Sequence, residues 1–405
     1  MRHLTLLMLA SITLGIIVIG FWLLSPPDSE KITAGASPVE ALRGDIEGYY
    51  RAEGPKEFEF PADHGPHPGY RTEWWYYTGN LFTENGRHFG YQFTIFRNQL
   101  SPPDADPIAD PNPDPIADPN ASPPKNQTSW ATNQLYLAHF AISDIDNKEH
   151  KYEERFSRGA AGLTGAEADP FRIWMEDWSA ELDADASSPS EESLPVTIQA
   201  RNNQIAVNLS LNPAKPLVLH ADHGYDPKGP DPGNASYYLS FTRMLTSGTI
   251  TIEHTDYEVS GYSWMDHEWS TSVLGKDQAG WDWFSLQLSD GYDLMYYQIR
   301  NEDGSLSPYS TGTLIDPDGN TIALGDGDAK LEERENWTSP HTGRVYPVRW
   351  HLSIPSQSLN LEIATFFPDQ EMNVSVTYYE GAVHVEGIRD NEPVAGYGFV
   401  EMTGR

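Results

Sequence analysis

The chain of 405 residues carries 59 acidic against 26 basic side chains, a formal net charge of −33 at pH 7. A surface this acidic repels nucleic acid and anionic lipid headgroups, so neither is expected as a partner. The sequence holds no cysteine, which excludes disulfides, thiolate metal sites, a Cys nucleophile and a lipid-modified N-terminal cysteine.

Leu4–Leu24 is uncharged and rich in Leu and Ile, long enough to cross a bilayer as a helix of about 20 residues. Arg2 precedes it, and Asp28 and Glu30 follow it. That bias keeps the N-terminus in the cytoplasm and sends the rest to the periplasmic or extracytoplasmic side. Residues 1–24 are therefore expected to be an inner-membrane anchor. The competing reading is a signal peptide cleaved after the small-residue run Ala34-Gly35-Ala36, which would leave a secreted protein. Residues 25–55, opening with Pro26-Pro27, are expected to form a linker.

The first folded unit is expected over residues 56–272. It enters through the turn-rich Phe58–Pro61 and Asp63–Pro68. Thr72–Leu81 follows as a strand, Asn85-Gly86 is a strong hairpin signal, and His88–Arg97 returns as the partner strand. Residues 101–128 are of low complexity: Asp106–Asn112 recurs as Asp114–Asn120, and its prolines remove backbone donors. Its aspartates lack the spacing of a calcium loop, so it reads as a solvated insertion. Short runs then resume at Leu135–Ser143, Arg172–Leu182, Val196–Ala200, Gln204–Leu211, Leu217–His220 and Tyr237–Met244. Beyond Arg43 helical periodicity is not sustained, so the class is all-β.

Residues 273–405 echo the first unit. Trp281–Leu288 matches Trp74–Leu81, and Asp290-Gly291 replaces the Asn-Gly turn. Tyr296–Arg300 echoes Gly90–Phe93, Tyr378-Tyr379 echoes Tyr237-Tyr238, and Val394–Glu401 matches Val259–Asp266. Two tandem, related β-domains are expected.

Within Gly261–Trp269, strand alternation places Tyr262, Trp264 and Asp266 on one face and Ser263, Met265 and His267 on the other. If the first face points into an apolar cavity, desolvation raises the Asp266 pKa and lets it keep a proton near neutrality. The plainer alternative is an aspartate capping the next turn.

Asp63–Leu81 resembles the opening signature of the AttH/hydroxyneurosporene synthase family, which includes carotenoid 1,2-hydratases and secreted proteins classed as hydrolases. Gly261–Glu268, Gly280–Gly291 and Tyr378–Val383 resemble further family motifs, and the resemblance runs from Phe58 to Arg405. It implies two lipocalin-like antiparallel β-barrels, an apolar small-molecule ligand such as an isoprenoid, carotenoid or lipid, and partnership with an ABC transporter in the exported branch. In the hydratases the motif resembles Tyr-x-Asp-His-Asn, with the Asp as proton donor. Asp266 and His267 match it, whereas Trp264 and Glu268 replace its Tyr and Asn. Upstream, Tyr238 and Ser240 stand where a His-x-Trp pair is expected.

Hydration of an isolated alkene needs no cofactor: an acid protonates carbon, a tertiary cation forms, and water captures it. The expected catalytic set is Asp266 as acid, Trp264 or Tyr262 as cation-stabilising ring, and His267. Glu73, Trp75, Tyr77 and Tyr238 are the expected ligand-binding residues, with no metal. A hydrolase reading through Ser263, Asp266 and His267 puts serine and aspartate on opposite strand faces and lacks a nucleophile elbow. A metal reading through His64, His67 and His267 or His223 lacks a zinc spacing. Two readings without chemistry remain: a lipid-binding partner of the transporter and a structural scaffold.

Overall fold

The computed structural model describes residues 46–103, 132–183, 190, 192–272 and 274–405. Leu4–Leu24, most of the linker and nearly all of the Pro/Asp-rich insertion lie outside the described residues. Among the described residues no helix is long and apolar enough to cross a membrane.

The described chain forms strands in two antiparallel sheets. The first begins with β1 (Thr72–Phe82), β2 (His88–Gln99), β3 (Gln134–Asp144) and β4 (Glu149–Arg158). It continues with β5 (Thr164–Ala168), β6 (Phe171–Met175), β7 (Trp178–Leu182), β8 (Val196–Arg201) and β9 (Ile205–Pro213). It ends with β10 (Val218–Leu219), β11 (Tyr225–Pro227), β12 (Ala235–Ile252) and β13 (Thr255–Ser270). The second sheet opens with β14 (Gln278–Leu288), β15 (Asp293–Asn301), β16 (Thr311–Ile315), β17 (Thr321–Leu324) and β18 (Lys330–Thr338). It closes with β19 (Val345–Ile354), β20 (Leu359–Thr365), β21 (Glu371–Asn373), β22 (Thr377–Arg389) and β23 (Glu392–Met402).

The strand order is β4-β3-β2-β1-β13-β12-β9-β8-β7-β6-β5 in the first sheet and β17-β16-β15-β14-β23-β22-β20-β19-β18 in the second. The orders coincide when β1 is laid on β14, β13 on β23 and β12 on β22. Register agrees: Tyr76 lies opposite Asp266, and Trp283 lies opposite Glu401. Two echoes slip. Thr94 faces Tyr76 while Tyr297 faces Trp283, so Tyr297 corresponds to Thr94 rather than Tyr91. Leu239 pairs with His267 and Tyr379 with Met402, so Tyr378 corresponds to Tyr238 rather than Tyr237.

Both hairpin glycines, Gly86 (φ +84) and Gly291 (φ +88), take the left-handed conformation those turns require. β8 and β9 alternate buried and exposed residues, whereas β1 and β2 are buried on both faces. The reason is that each sheet curls around its own apolar core. In the first, Trp75, Tyr77 and Phe93 from β1 and β2 meet Trp178 of β7. The outer faces of the central strands then pack against the second sheet, where Tyr76, Tyr238 and Trp264 meet Trp283, Tyr297 and Phe399.

This corrects one expectation. The barrel-like interior of the first sheet is filled by side chains, and the enclosed space lies between the sheets. Trp75 and Tyr77, expected to bind ligand, are fully buried core residues.

Candidate active site

The alternation of β13 decides what reaches the space between the sheets. Asp266 and Glu268 line it; Trp264, on the same face and expected as a cation-stabilising ring, packs in the inter-sheet cluster without lining the cavity, while Met265 turns into the first core and His267 packs beside Trp75. Tyr262 shares the face of Asp266 but lies beyond the rim, 41% exposed beneath the Arg243 guanidinium, so it is not a cavity residue. The cavity has a volume of about 180 Å³. The first sheet lines it with Trp74, Tyr76, Phe96, Tyr238, Asp266 and Glu268, and the second with Trp281, Trp283, Tyr297, Tyr378 and Glu401.

Asp266 is 3% exposed and accepts three hydrogen bonds. Trp264 Nε1 donates to Oδ1 at 2.7 Å, Ser240 Oγ also donates to Oδ1, and Tyr238 OH donates to Oδ2 at 2.8 Å. Tyr238 in turn accepts from Trp283 Nε1 at 2.9 Å, which ties this network to the second sheet. Burial pushes the Asp266 carboxyl up to about 7, against the three donors.

Glu401 occupies the corresponding position of the second sheet. It is enclosed by protein but keeps part of its surface open to the cavity. Trp281 Nε1 donates to it at 3.0 Å. Burial pushes it up to about 8, with Asp266 and Glu268 adding repulsion and Trp281 opposing. Lys228 lies 2.6 Å from Asp226 and 3.4 Å from Glu268, its ammonium 4.1 Å over the Tyr297 ring. Burial opposes its charge, but those two carboxylates outweigh burial and hold its pKa above the ordinary lysine value.

The other expected residues form a second cluster on the far side of β1 and β13. Glu73 Oε1 lies 2.7 Å from His67 Nδ1 and 2.8 Å from His267 Nε2, and Arg97 Nε donates to Oε2 at 2.7 Å. Burial alone would raise the Glu73 pKa, but Arg97 and His67 hold it well below the usual carboxylate range. Neither Glu73 nor His267 lines the cavity. His67, Glu73 and His267 bring three potential ligand atoms within 4.8 Å of one another. However, His67 Nε2 also lies 2.9 Å from Asp63. With a carboxylate at each nitrogen, the His67 ring is placed to hold both protons, and a metal would have to displace one of them. Its pKa is raised accordingly: Glu73 and Asp63 outweigh burial. His64 lies outside that cluster, its ring tilted against Phe60 and its carbonyl accepting from Trp75 Nε1, and His223 is an exposed turn residue.

Residue-by-residue reading missed Glu401, Tyr378, Lys228, Trp281 and Trp283. The match of Val394–Glu401 with Val259–Asp266 was the signal that could have found the second acid. Lys228 carried no such signal.

Fold and site together define an all-β protein of two related antiparallel sheets with an acid-bearing, ring-lined, partly open cavity between them. The chain belongs to the AttH-like family, whose model matches residues 51–405. A crystal structure of an AttH protein from Nitrosomonas europaea superposes with a TM-score of 0.71 at 31% identity, covering 86% of this chain and 97% of that one. Kievitone hydratase from Nectria haematococca shares the fold with a TM-score of 0.61 at 14% identity, over 88% of this chain and 95% of that one. Among curated proteins, kievitone hydratase of Fusarium solani subsp. phaseoli is 22% identical over 211 residues. That match spans 50% of this chain and 58% of the relative.

Proposed function

We propose that this protein is a cofactor-free hydratase that adds water to an isolated alkene in the cavity between its sheets, with Asp266 as a reacting carboxyl group. The observation that carries the reading is a carboxyl pushed up to about 7 among rings, where it can exchange a proton near neutral pH. Trp283 and Tyr76 both line the cavity and pack on each other edge to face; a ring face turned to the ligand would stabilise a cation by about 0.5–2 kcal/mol. The hydratase names of two relatives support the same chemistry.

The volume narrows the ligand. An apolar cavity of about 150 Å³ holds benzene, and drug-sized ligands take about 300–1,000 Å³. At about 180 Å³ this cavity encloses one isoprenoid end, leaving the rest of an elongated carotenoid or lipid outside. Incubation with terpenoids and polyenes bearing a terminal trisubstituted alkene, followed by mass analysis, should show addition of water. Asp266→Asn should abolish that addition while leaving ligand affinity nearly intact; equal turnover in the variant removes Asp266 from the mechanism.

The second reading is a lipid carrier for an ABC transporter, anchored to the inner membrane through Leu4–Leu24. The uncharged N-terminal segment favours it. Native mass spectrometry of protein from the membrane fraction tests it: a co-purified, chemically unchanged lipid supports the carrier.

A further inference from the structure

Hydration needs one group that gives a proton and one that takes one. We propose that Glu401 of the second sheet is the proton donor and that Asp266 is the base, an assignment that rests on the hydratase reading of the cavity.

The donor inventory carries it. Trp264 Nε1 can only donate, and it points at Asp266 Oδ1. The Tyr238 hydroxyl accepts the Trp283 N–H at 2.9 Å and donates to Asp266 Oδ2 at 2.8 Å. Ser240 supplies a third donor. A carboxyl group surrounded by three donors is arranged to hold negative charge. Glu401 is arranged otherwise. It accepts one hydrogen bond, from Trp281, and among the described residues it has no other hydrogen-bond partner. Its remaining oxygen can carry a proton into the cavity it lines.

The charges around the pair favour one shared proton. Asp266 and Glu268 face Glu401 from β13, and Glu380 lies opposite it on β22. The phenols of Tyr76, Tyr238, Tyr297 and Tyr378 surround them. Lys228 and His139 are the basic side chains among the described lining residues; Asp226 and Glu268 neutralise the first, and the second lies 3.0 Å from Glu154 and 2.7 Å from the Tyr378 hydroxyl. Ionising both Asp266 and Glu401 would place two further negative charges in one desolvated space, so the second ionisation is opposed.

The step balances. The Glu401 O–H breaks as the alkene π pair forms a C–H bond, leaving a tertiary cation and a Glu401 carboxylate. Water oxygen bonds to the cation while its proton passes to the Asp266 carboxylate. Return of that proton from Asp266 to Glu401 completes the cycle, and the net change is alkene plus water to alcohol.

The test needs no substrate. Infrared titration of the full-length protein follows the carbonyl bands of buried protonated carboxyls, assigned by their loss in Glu401→Gln and Asp266→Asn. The Glu401 band should persist to about pH 8, and the Asp266 band should vanish first, at about pH 7 or below. Coincident loss, or an Asp266 band that outlasts that of Glu401, overturns the assignment. Should an amide variant fail to fold, Glu401→Asp and Asp266→Glu keep the acid and shift its band, which still identifies it. The water-addition assay fails or succeeds separately from the order of the bands, so the two readings can be refuted independently.

Discussion

The buried acids leave opposite signatures on stability. Asp266 and Glu401 have folded pKa values of about 7 and about 8, above the ordinary 3.8 and 4.5. Between those limits the folded chain binds more protons than the unfolded chain, so stability falls as pH rises. The slope is roughly 1.4 kcal/mol per pH unit for each acid. Urea unfolding from about pH 5 to about pH 8 should show that decline, and Asp266→Asn should remove its own share and leave that of Glu401. Glu73 works the other way. Its depressed pKa contributes stability above the unfolded value of 4.5, which is lost as pH falls through the folded value. The raised pKa of His67 contributes below 6.5 and is lost as pH rises through its own folded value. Glu73→Gln leaves Arg97 buried without its counter-charge and should cost about 3–5 kcal/mol in a urea titration at neutral pH.

At the level of strands, the glycine that opens the β13 motif has a steric reason. A Cβ on Gly261 would sit 2.2 Å from the Asn80 carbonyl oxygen of β1. Gly396 meets the Gln287 carbonyl of β14 at the same 2.2 Å. Gly261→Ala must push β13 away from β1 close to Trp264 and Asp266. It should destabilise by about 1–3 kcal/mol in urea unfolding, and Gly396→Ala should do likewise. The same strands show what sequence alone could supply. Period-two alternation placed Trp264 with Asp266 and Met265 with His267, because a strand permits only two faces. It cannot say which face of β1 meets a core and which meets a cavity, since both are buried: Trp75 and Tyr77 face the core, and Trp74 and Tyr76 line the cavity. The Tyr237/Tyr378 echo failed by one residue, and one residue turns a side chain to the other face. β12 carries a bulge between Phe241 and Met244, an irregularity that residue patterns do not announce.

Across the whole molecule, the cavity exists because two sheets hold each other at fixed register. Asn80 Nδ2 donates to the Gly398 carbonyl at 3.1 Å, and Gln287 Nε2 donates to the Ser263 carbonyl at 3.1 Å, one clasp from each sheet to corresponding positions of the other. Beside them Asp293 of β15 is fully buried and receives Arg243 at 2.6 Å and the Thr242 hydroxyl at 2.9 Å from β12, and Lys215 at 2.8 Å from the β9–β10 connection. Asp293→Ala strands two cations in a buried interface and should cost about 3–5 kcal/mol. Its second effect is the more telling. If the clasp loosens, water reaches the cavity, and the desolvation that raises Asp266 and Glu401 weakens. Both carboxyl bands should then titrate at lower pH in Asp293→Ala than in the parent protein, although neither acid touches Asp293. Bands that stay in place would mean that each sheet desolvates its own acid without the other. A shift would mean that the two buried acids owe their protons to the closure of the pair, and that a chain carrying either sheet alone would hold ordinary carboxylates there.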